Sequence, residues 1–150
     1  MIIRPCDNSD LLDLYDWRND LVSREMSKES HFISWSEHVS WFTNKAQDTN
    51  FLILICEDNT VDKRLGMVSF NIIEKKATVS INLCPTSRGK GVAFDCLKNS
   101  LSFCFHEFPS VQIYAAEIKK NNKPSMKIFK KIGCRPIMER GDFIILEFAI

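Results

Sequence analysis

A turn rich in glycine and basic residues has the composition of an anion-binding site. Arg88, Gly89, Lys90 and Gly91 follow an alternating apolar stretch and lead directly into a helical pattern. Glycine permits positive φ angles and a close approach of a ligand, and the first N–H groups of a helix can bind a phosphate. The spacing therefore predicts a pyrophosphate-binding turn, or alternatively a glycine-eased helix start with solvated basic side chains. The common nucleotide motifs G-x-x-x-x-G-K-[ST] and G-x-G-x-x-G are both absent.

A carboxylate stands at the end of the apolar face of a predicted strand. The alternation along Val111–Ile118 places Val111, Ile113, Ala115 and Glu117 on one face. A buried carboxylate costs energy unless it is paired or protonated, and a carboxylate in such a place can act as a general base. The alternative is a glutamate that is exposed at the end of the strand.

Strands and helices in an interleaved order must position these residues. We predict strands at Met1–Arg4, Phe51–Cys56, Gly66–Ile73, Ala77–Leu83 and Val111–Ile118, and a closing hairpin of Cys134–Glu139 and Asp142–Phe148 around Arg140-Gly141. We predict helices after the capping residues Asn8–Asp10 to about Asn19, after Ser34 with Glu37 as a capping box, from Gly91 to before Pro109, and from Asn122 to Gly133. The order predicts a single α/β domain over residues 1–150, with one mixed, mostly antiparallel sheet and helices on both faces.

Length and composition exclude several classes of protein. The chain has 150 residues, of which 45% are hydrophobic and 26% charged, and its net charge is +1. This composition is typical of a soluble globular protein, and the small net charge argues against general nucleic-acid binding. No apolar run approaches the ~20 residues of a membrane helix, and the N-terminus does not resemble a signal peptide. The six cysteines form no Cys-x-x-Cys pair and do not cluster with the three histidines. We therefore expect reduced thiols, no metal site and a cytoplasmic location.

Two motifs occur in a defined order. The first is Arg88-x-x-Gly91-x-Ala93, and the second is Asn122-x-x-Ser125 at the start of a helix that ends in Lys131-Ile132-Gly133-Cys134. The pair resembles the signature of the GCN5-related N-acetyltransferases, the GNAT superfamily. The order of strands and helices resembles that fold from end to end. The resemblance implies acetyl-CoA as the acyl donor and an N-acetyltransferase activity.

The resemblance also implies roles for individual residues. Backbone groups of Ile81, Asn82 and Leu83 would pair with the pantetheine arm, beside a bulge in that strand. The pyrophosphate would be held by the Arg88 side chain and by backbone N–H groups of Gly89, Lys90, Gly91, Val92, Ala93 and Phe94. Asn122, with Ser125 of the same motif, would contact the cofactor arm from the opposite strand, and Glu117 would take a proton from the attacking amine through water.

One position departs from the family pattern. Phe129 stands where many members have a tyrosine that acts as general acid on the leaving thiolate. Another group would then protonate the thiolate, and Tyr114 is one neighbouring residue to consider for this role. Alternatively, the thiolate would leave unprotonated. By alternation, however, the Tyr114 side chain faces away from Glu117.

The N-terminal half carries aromatic and arginine residues suited to an acceptor. The run Trp17-Arg18-Asn19 and the later His38-x-x-Trp41-Phe42 resemble the GNAT subgroup of sugar-nucleotide N-acetyltransferases of pseudaminic-acid-type pathways. Aromatic rings can stack on a base or a sugar, and arginine can pair with a diphosphate. The resemblance implies a nucleotide-linked amino sugar bound by Trp17, Arg18, Asn19, His38 and Trp41. The alternative is that the aromatic residues fill the core and that His38 is a structural hydrogen-bonding residue.

Two other functions stay open from the sequence. The same subgroup includes the ribosomal-protein N-terminal acetyltransferases, so the acceptor could be a protein N-terminus or another small amine. A catalytically silent module that binds CoA is a third hypothesis, and Phe129 in place of tyrosine favours it. The apolar final strand, Phe143–Ile150, would also allow a homodimer to form by strand pairing at an exposed edge.

Overall fold

The computed structural model describes all 150 residues as a seven-stranded sheet with five α-helices. The strands are β1 (Ile2–Pro5), β2 (Phe51–Asp58), β3 (Lys63–Ile73), β4 (Lys76–Leu83), β5 (Ile113–Lys119), β6 (Arg135–Arg140) and β7 (Phe143–Ala149). The α-helices are α1 (Leu11–Asn19), α2 (Leu21–Met26), α3 (Trp35–Gln47), α4 (Val92–Glu107) and α5 (Lys123–Ile132). None of these helices has the length and apolar character needed to cross a bilayer.

The sheet has the order β1-β2-β3-β4-β5-β7-β6, and only the β4–β5 pair is parallel. It separates two hydrophobic clusters. Ile55 of β2 packs with Leu14 of α1 and Phe42 of α3, whereas the adjacent Leu54 and Cys56 belong to the larger cluster that includes α4 and α5. Because successive residues of a strand face opposite sides, the helices cover both faces of the sheet, and the predicted architecture is confirmed.

The parallel pair of strands separates part-way along its length. β4 and β5 are paired only at Lys76–Ile113, Ala77–Tyr114 and Thr78–Ala115. Beyond these positions, β4 remains paired with β3 and β5 remains paired with β7. The two backbone edges that face each other there have no strand partner. The Leu83 carbonyl accepts from Arg88, and the other N–H and C=O groups that face the gap could bind an extended ligand. We call this opening, between residues 79–83 and 116–119, the β4–β5 gap.

Two expectations about the sheet are wrong. The register between β3 and β4 is continuous from Gly66–Leu83 to Ile73–Lys76, so β4 has no bulge beside Ile81–Leu83. The opening comes instead from the loss of pairing with β5. The final strand is also not at an edge, because β7 lies between β5 and β6 and both of its backbone edges are already hydrogen bonded. A homodimer cannot therefore form through a free edge of Phe143–Ile150.

The helix ends of the C-terminal half lie where the sequence predicts them. The Asn122 side chain accepts a hydrogen bond from the Ser125 amide at 3.3 Å and caps α5. Gly133 ends that helix with φ of 115°, a conformation that favours glycine. Gly91 precedes α4 with φ of 78°. These ends depend on local side-chain and backbone chemistry, which a short sequence window contains.

The N-terminal half differs in detail. Asp7, and not Asn8–Asp10, caps the first turn, because its side chain accepts from the Ser9 amide at 2.8 Å. Helix α2 is an additional element that the apolar pattern does not predict, and Asp20 caps it by accepting from the Ser23 amide. Of the two hydrogen bonds of the predicted capping box at Ser34, one is confirmed: the Ser34 hydroxyl accepts from the Glu37 amide at 3.2 Å. The additional helix α2 contacts the turn before α4 and so contributes to the site.

Candidate active site

The turn before α4 leaves the amides of the helix N-terminus open. Gly89 and Gly91 have φ angles of 71° and 78°, and no side chain caps the helix. A Cβ atom built on either glycine would meet nothing within 4 Å, so the positive φ, and not crowding, requires glycine here. Val92, Ala93 and Phe94 form the first turn of α4. An anion placed above this turn would find unpartnered N–H groups and the positive end of the helix dipole.

The Arg88 side chain makes its contacts within the protein. Its Nη1 donates to Asp20 Oδ2 at 2.7 Å, and its Nη2 donates to Ser23 Oγ at 3.0 Å and to the Leu83 carbonyl at 3.2 Å. The guanidinium thus ties the turn to the start of α2. An anion at this turn would meet the backbone amides and the exposed Lys90, whereas the Arg88 guanidinium is already engaged by groups of the protein.

The end of β4 is joined to the N-terminal helices. Asn82 Nδ2 donates to the Trp17 carbonyl at 3.1 Å, and Ser23 Oγ donates to Asn82 Oδ1 at 3.0 Å. The backbone of Ile81, Asn82 and Leu83 lines one edge of the β4–β5 gap, and all three residues are half-buried. On the C-terminal side, α5 packs on α4, with Lys131 Nζ 3.9 Å from the centroid of the Phe94 ring. Asn122 and Ser125 lie at the start of α5, where Asn122 serves as the cap.

Glu117 lies at the opening of the gap and is paired with a lysine. It follows Ala115, the last residue of β5 paired with β4, by two positions on the same face. Its side chain is 17% exposed, and its Oε2 lies 2.6 Å from Lys28 Nζ. The carboxylate is therefore stabilised by an ion pair across the site. Sequence reasoning missed Lys28, because nothing in the local pattern around a residue between two helices indicates a partner on β5.

Two of the predicted acceptor contacts are buried packing residues, which corrects their assignment. Trp17 belongs to the smaller hydrophobic cluster, and His38 is completely buried. The His38 Nε2 atom lies 2.8 Å from the Leu11 carbonyl, and burial lowers the pKa of His38. A side chain held in this way cannot reach a substrate, so His38 is the structural residue that the alternative interpretation describes.

The remaining acceptor candidates, Asn19, Trp41 and Arg18, lie beside the segment between α2 and α3. Both ends of the Asn19 amide bind the backbone of Ile33, at 2.9 and 2.8 Å, and hold this segment against α1. Trp41 is half-buried, and the Arg18 guanidinium carbon lies 4.9 Å from the centroid of the Trp41 ring. Of the three residues, only Arg18 has a buried donor without a hydrogen-bond partner.

A cavity of about 240 Å³ lies next to the ion pair. It is lined by Arg18, Ser27, Lys28, Glu29, His31 and Ile33. The Nη1 atom of Arg18 is buried without a hydrogen-bond partner, and burial lowers the pKa of this guanidinium. A buried guanidinium N–H without a hydrogen-bond acceptor is costly, and an anionic ligand in the cavity would supply that acceptor. A larger cavity of about 560 Å³ beside Asp13 and Arg64 touches neither Glu117 nor the turn before α4.

Neither Phe129, which stands in place of the family's tyrosine, nor the neighbouring Tyr114 offers an exposed general acid. Phe129 is buried in the larger cluster and carries no proton to donate. Tyr114 is also buried, edge-to-face with Phe70 at a centroid distance of 6.3 Å, and burial raises the pKa of its hydroxyl. No group of three or more His, Cys, Asp or Glu side chains is placed to hold a metal ion.

Solved structures show the same fold. Spermidine N-acetyltransferase from Vibrio cholerae, crystallised with CoA and spermine, superposes with a TM-score of 0.86 at 17% identity, covering 99% of this chain and 94% of that one. Ribosomal-protein-alanine N-acetyltransferase from Brucella melitensis gives a TM-score of 0.83 at 16% identity, with 100% of both chains covered. These likenesses show a shared fold.

Relatives and a family model extend the comparison to sequence. An uncharacterized protein of Methanocaldococcus jannaschii is 33% identical over 70 residues, which span 46% of this chain but only 14% of that protein. An N-acetyltransferase 9-like protein of Dictyostelium discoideum is 26% identical over 153 residues, spanning 87% of this chain and 70% of that protein. The family model described as the acetyltransferase (GNAT) domain matches residues 1–135. The chain therefore belongs to the GNAT acetyltransferase family.

Proposed function

We propose that this enzyme moves the acetyl group to a primary amine by direct attack on the thioester, with Glu117 as the general base and no covalent enzyme intermediate. The observation that carries the proposal is the position of Glu117 at the opening of the β4–β5 gap, with an ammonium group already 2.6 Å from its carboxylate. A site that holds an ammonium here can hold that of a substrate. Glu117 then accepts the proton as the amine attacks.

The proposed acetyl-CoA site follows the free backbone edges. The backbone of Ile81, Asn82 and Leu83 would pair with the pantetheine amides, because the β5 side of this edge has no strand partner. The amides from Gly89 to Phe94 would hold the pyrophosphate at the uncapped start of α4. Asn122 and Ser125 would contact the arm from the other side of the gap. The open space above Gly89 and Gly91 fits such a ligand.

The leaving thiolate needs no tyrosine in this proposal. An alkyl thiol has a modest pKa of about 8.5, so a thiolate is a far better leaving group than an alkoxide or an amide anion. Because Phe129 and Tyr114 are both buried, we propose that the thiolate leaves unprotonated and takes its proton from water.

For the acceptor, we propose an amine that also carries an anionic group. The buried, unpartnered Nη1 of Arg18 beside the ion pair supports this class. A nucleotide-linked amino sugar has both features, since its diphosphate can pair with a guanidinium while its amine meets Glu117. Trp41, whose ring centroid lies 4.9 Å from the Arg18 guanidinium carbon, would hold that guanidinium in place beside the ligand.

A substitution at Glu117 tests the chemistry. We expect Glu117→Gln to lower kcat about 10²- to 10⁴-fold, because the amine loses its base, while calorimetry shows unchanged affinity for acetyl-CoA. Glu147→Gln is the matched control, since Glu147 lies on β7, the neighbour of β5, is 22% exposed and is paired with Lys76 of β4. Activity is measured as release of free CoA thiol. Equal activity of the two variants would refute the role of Glu117, and absence of acetyl-CoA binding would refute the proposed cofactor site.

A substitution at Arg18 tests the acceptor. We expect Arg18→Met to raise KM for a uridine-diphosphate amino sugar about tenfold to a hundredfold, because a charge-assisted hydrogen bond is lost. Spermidine is the comparison acceptor in the same assay, since a polycation gains nothing from a guanidinium. An equal change for both amines would contradict an anion site. Transfer only to a peptide with N-terminal alanine would favour a protein acceptor, and CoA binding without transfer to any amine would favour a silent module.

A further inference from the structure

The segment that carries Lys28 is held over the catalytic carboxylate from both sides. Lys119 of β5 donates from its Nζ to the Glu25 carbonyl at 2.8 Å, just before Lys28. After Lys28, the Asn19 amide holds the Ile33 backbone through two hydrogen bonds. Lys28 is therefore placed against Glu117 by the fold, and the 2.6 Å ion pair does not depend on a long side chain finding a distant partner.

Lys28 occupies the position that an acceptor amine must take. Its Nζ touches the carboxylate to which we assign the role of general base, and it also lines the cavity beside Arg18. Its side chain is nevertheless 59% exposed, so it can rotate without unpacking the core. A primary amine on a tethered side chain, next to a base and at the mouth of the gap, has a high effective concentration toward a thioester bound there.

We propose that Lys28 is itself an acetyl acceptor, so that the enzyme acetylates its own chain at this residue. The inference rests on the proposed function, because it needs acetyl-CoA in the β4–β5 gap and Glu117 as the base. The bond from Lys28 Nζ to the acetyl carbon forms as the bond from that carbon to the CoA sulfur breaks. Lys28 Nζ loses two protons through Glu117 to solvent, the thiolate leaves unprotonated and takes one proton from water, and the products are Nε-acetyl-lysine and free CoA.

The modification changes the site in a defined way. An acetylated lysine carries no positive charge, so the ion pair with Glu117 is lost and the carboxylate becomes free for an incoming amine. The longer, neutral side chain also alters one wall of the cavity that contains Arg18. Acetylation of Lys28 would thus convert the resting arrangement, in which the chain's own ammonium occupies Glu117, into an open one.

The test is the rate of acetylation at single lysines in the full-length protein. The protein is incubated with isotope-labelled acetyl-CoA, and acetylated peptides are quantified over time by mass spectrometry. Lys120 is the internal control, because its Nζ is also paired with a carboxylate, Glu139, at 2.9 Å, but outside the site. We expect Lys28 to be acetylated at least about tenfold faster than Lys120. Because the reaction is intramolecular, its rate constant should not depend on protein concentration. Glu117→Gln should remove this excess.

A second measurement does not depend on any variant folding correctly. Excess free CoA should slow acetylation of Lys28, because it competes for the gap, and should leave Lys120 unaffected. Equal rates at the two lysines, or a Lys28 rate that is indifferent to free CoA, would overturn the proposal as mere chemical acetylation. An enzyme that acetylates an added amine while Lys28 stays unmodified would overturn this inference alone. Failure to bind acetyl-CoA in calorimetry would overturn the proposed function as well.

Discussion

Asp10 is a completely buried carboxylate that joins two arginines at the start of α1. It accepts two hydrogen bonds from Arg4, both at 2.8 Å, and one from the Asp7 amide at 2.9 Å, and its Oδ1 lies 2.7 Å from Arg64 Nε. Burial alone would raise the pKa of Asp10, but the bonds from Arg4 and the Asp7 amide and the charges of both arginines hold it below its ordinary value of 3.8. The folded state therefore binds this proton less tightly than the unfolded state does.

Protonation of Asp10 at low pH destabilises the fold, because the folded pKa of Asp10 lies below the unfolded one. The contribution of Asp10 to stability is fully present when the pH is above its unfolded pKa near 3.8. The contribution is lost as the pH falls through the lower pKa of the folded state. We expect Asp10→Asn to lower the free energy of unfolding at pH 7 by about 3–5 kcal/mol, because two arginines lose their buried partner. Urea unfolding at pH 7 and between pH 5 and 3 measures both effects.

Asp13 provides the control for this prediction. It pairs with Arg64 Nη1 at 3.0 Å, but its side chain is 38% exposed, so Asp13→Asn should cost only about 0–1 kcal/mol. Equal losses in the two variants would show that burial of the Asp10 network does not determine its contribution.

At the scale of elements, Gly66 allows β3 to pack against the part of β4 that lines the gap. A Cβ atom at this position would lie 2.7 Å from the Asn82 carbonyl oxygen and 2.9 Å from Leu83 Cα. We expect Gly66→Ala to cost about 1–3 kcal/mol of stability, because backbone atoms must move. Since the displaced strand carries the proposed pantetheine edge, acetyl-CoA affinity should also fall. Urea unfolding and calorimetric titration measure the two quantities.

Gly141 separates the two effects of that substitution. It lies in the β6–β7 turn with φ of 58° and nothing within 4 Å of an added Cβ, so Gly141→Ala introduces only local strain of about 1–2 kcal/mol. The acetyl-CoA affinity of the Gly141→Ala variant should equal that of the wild-type protein. A similar loss of affinity in both variants would indicate a general effect of lower stability and not a displaced β4.

At the scale of the whole molecule, the sheet divides the protein into two halves with different tasks. The larger cluster, on the side of α4 and α5, supports the turn and the helix start proposed to bind acetyl-CoA. The smaller cluster, with Leu14, Trp17, Phe42 and Ile55, supports α1 and α3 and the segment that faces Glu117. The β4–β5 gap lies where the two halves meet, so donor and acceptor can approach the same carboxylate from different sides.

Local sequence patterns were sufficient to predict the fold class, the turn before α4, the cap at Asn122 and the end of α5 at Gly133. Each of these depends on chemistry within a few residues: a positive φ, a side-chain cap or an alternation of apolar residues. The two family motifs lie on such local features, so the residue pattern alone was enough to indicate the family. Helix α2 was missed because it is only six residues long and buries no residue completely.

The contacts between distant side chains, in contrast, depend on the tertiary structure. It places Lys28 on Glu117, joins Arg88 to Asp20 and buries His38. It also leaves the Nη1 atom of Arg18 without a hydrogen-bond partner beside a cavity. A loss of β4–β5 pairing also replaces the expected bulge, and β7 lies inside the sheet. The physical reason is that these contacts join residues far apart in the chain. Their distances are determined by where strands separate and how helices pack, and no local pattern contains that information.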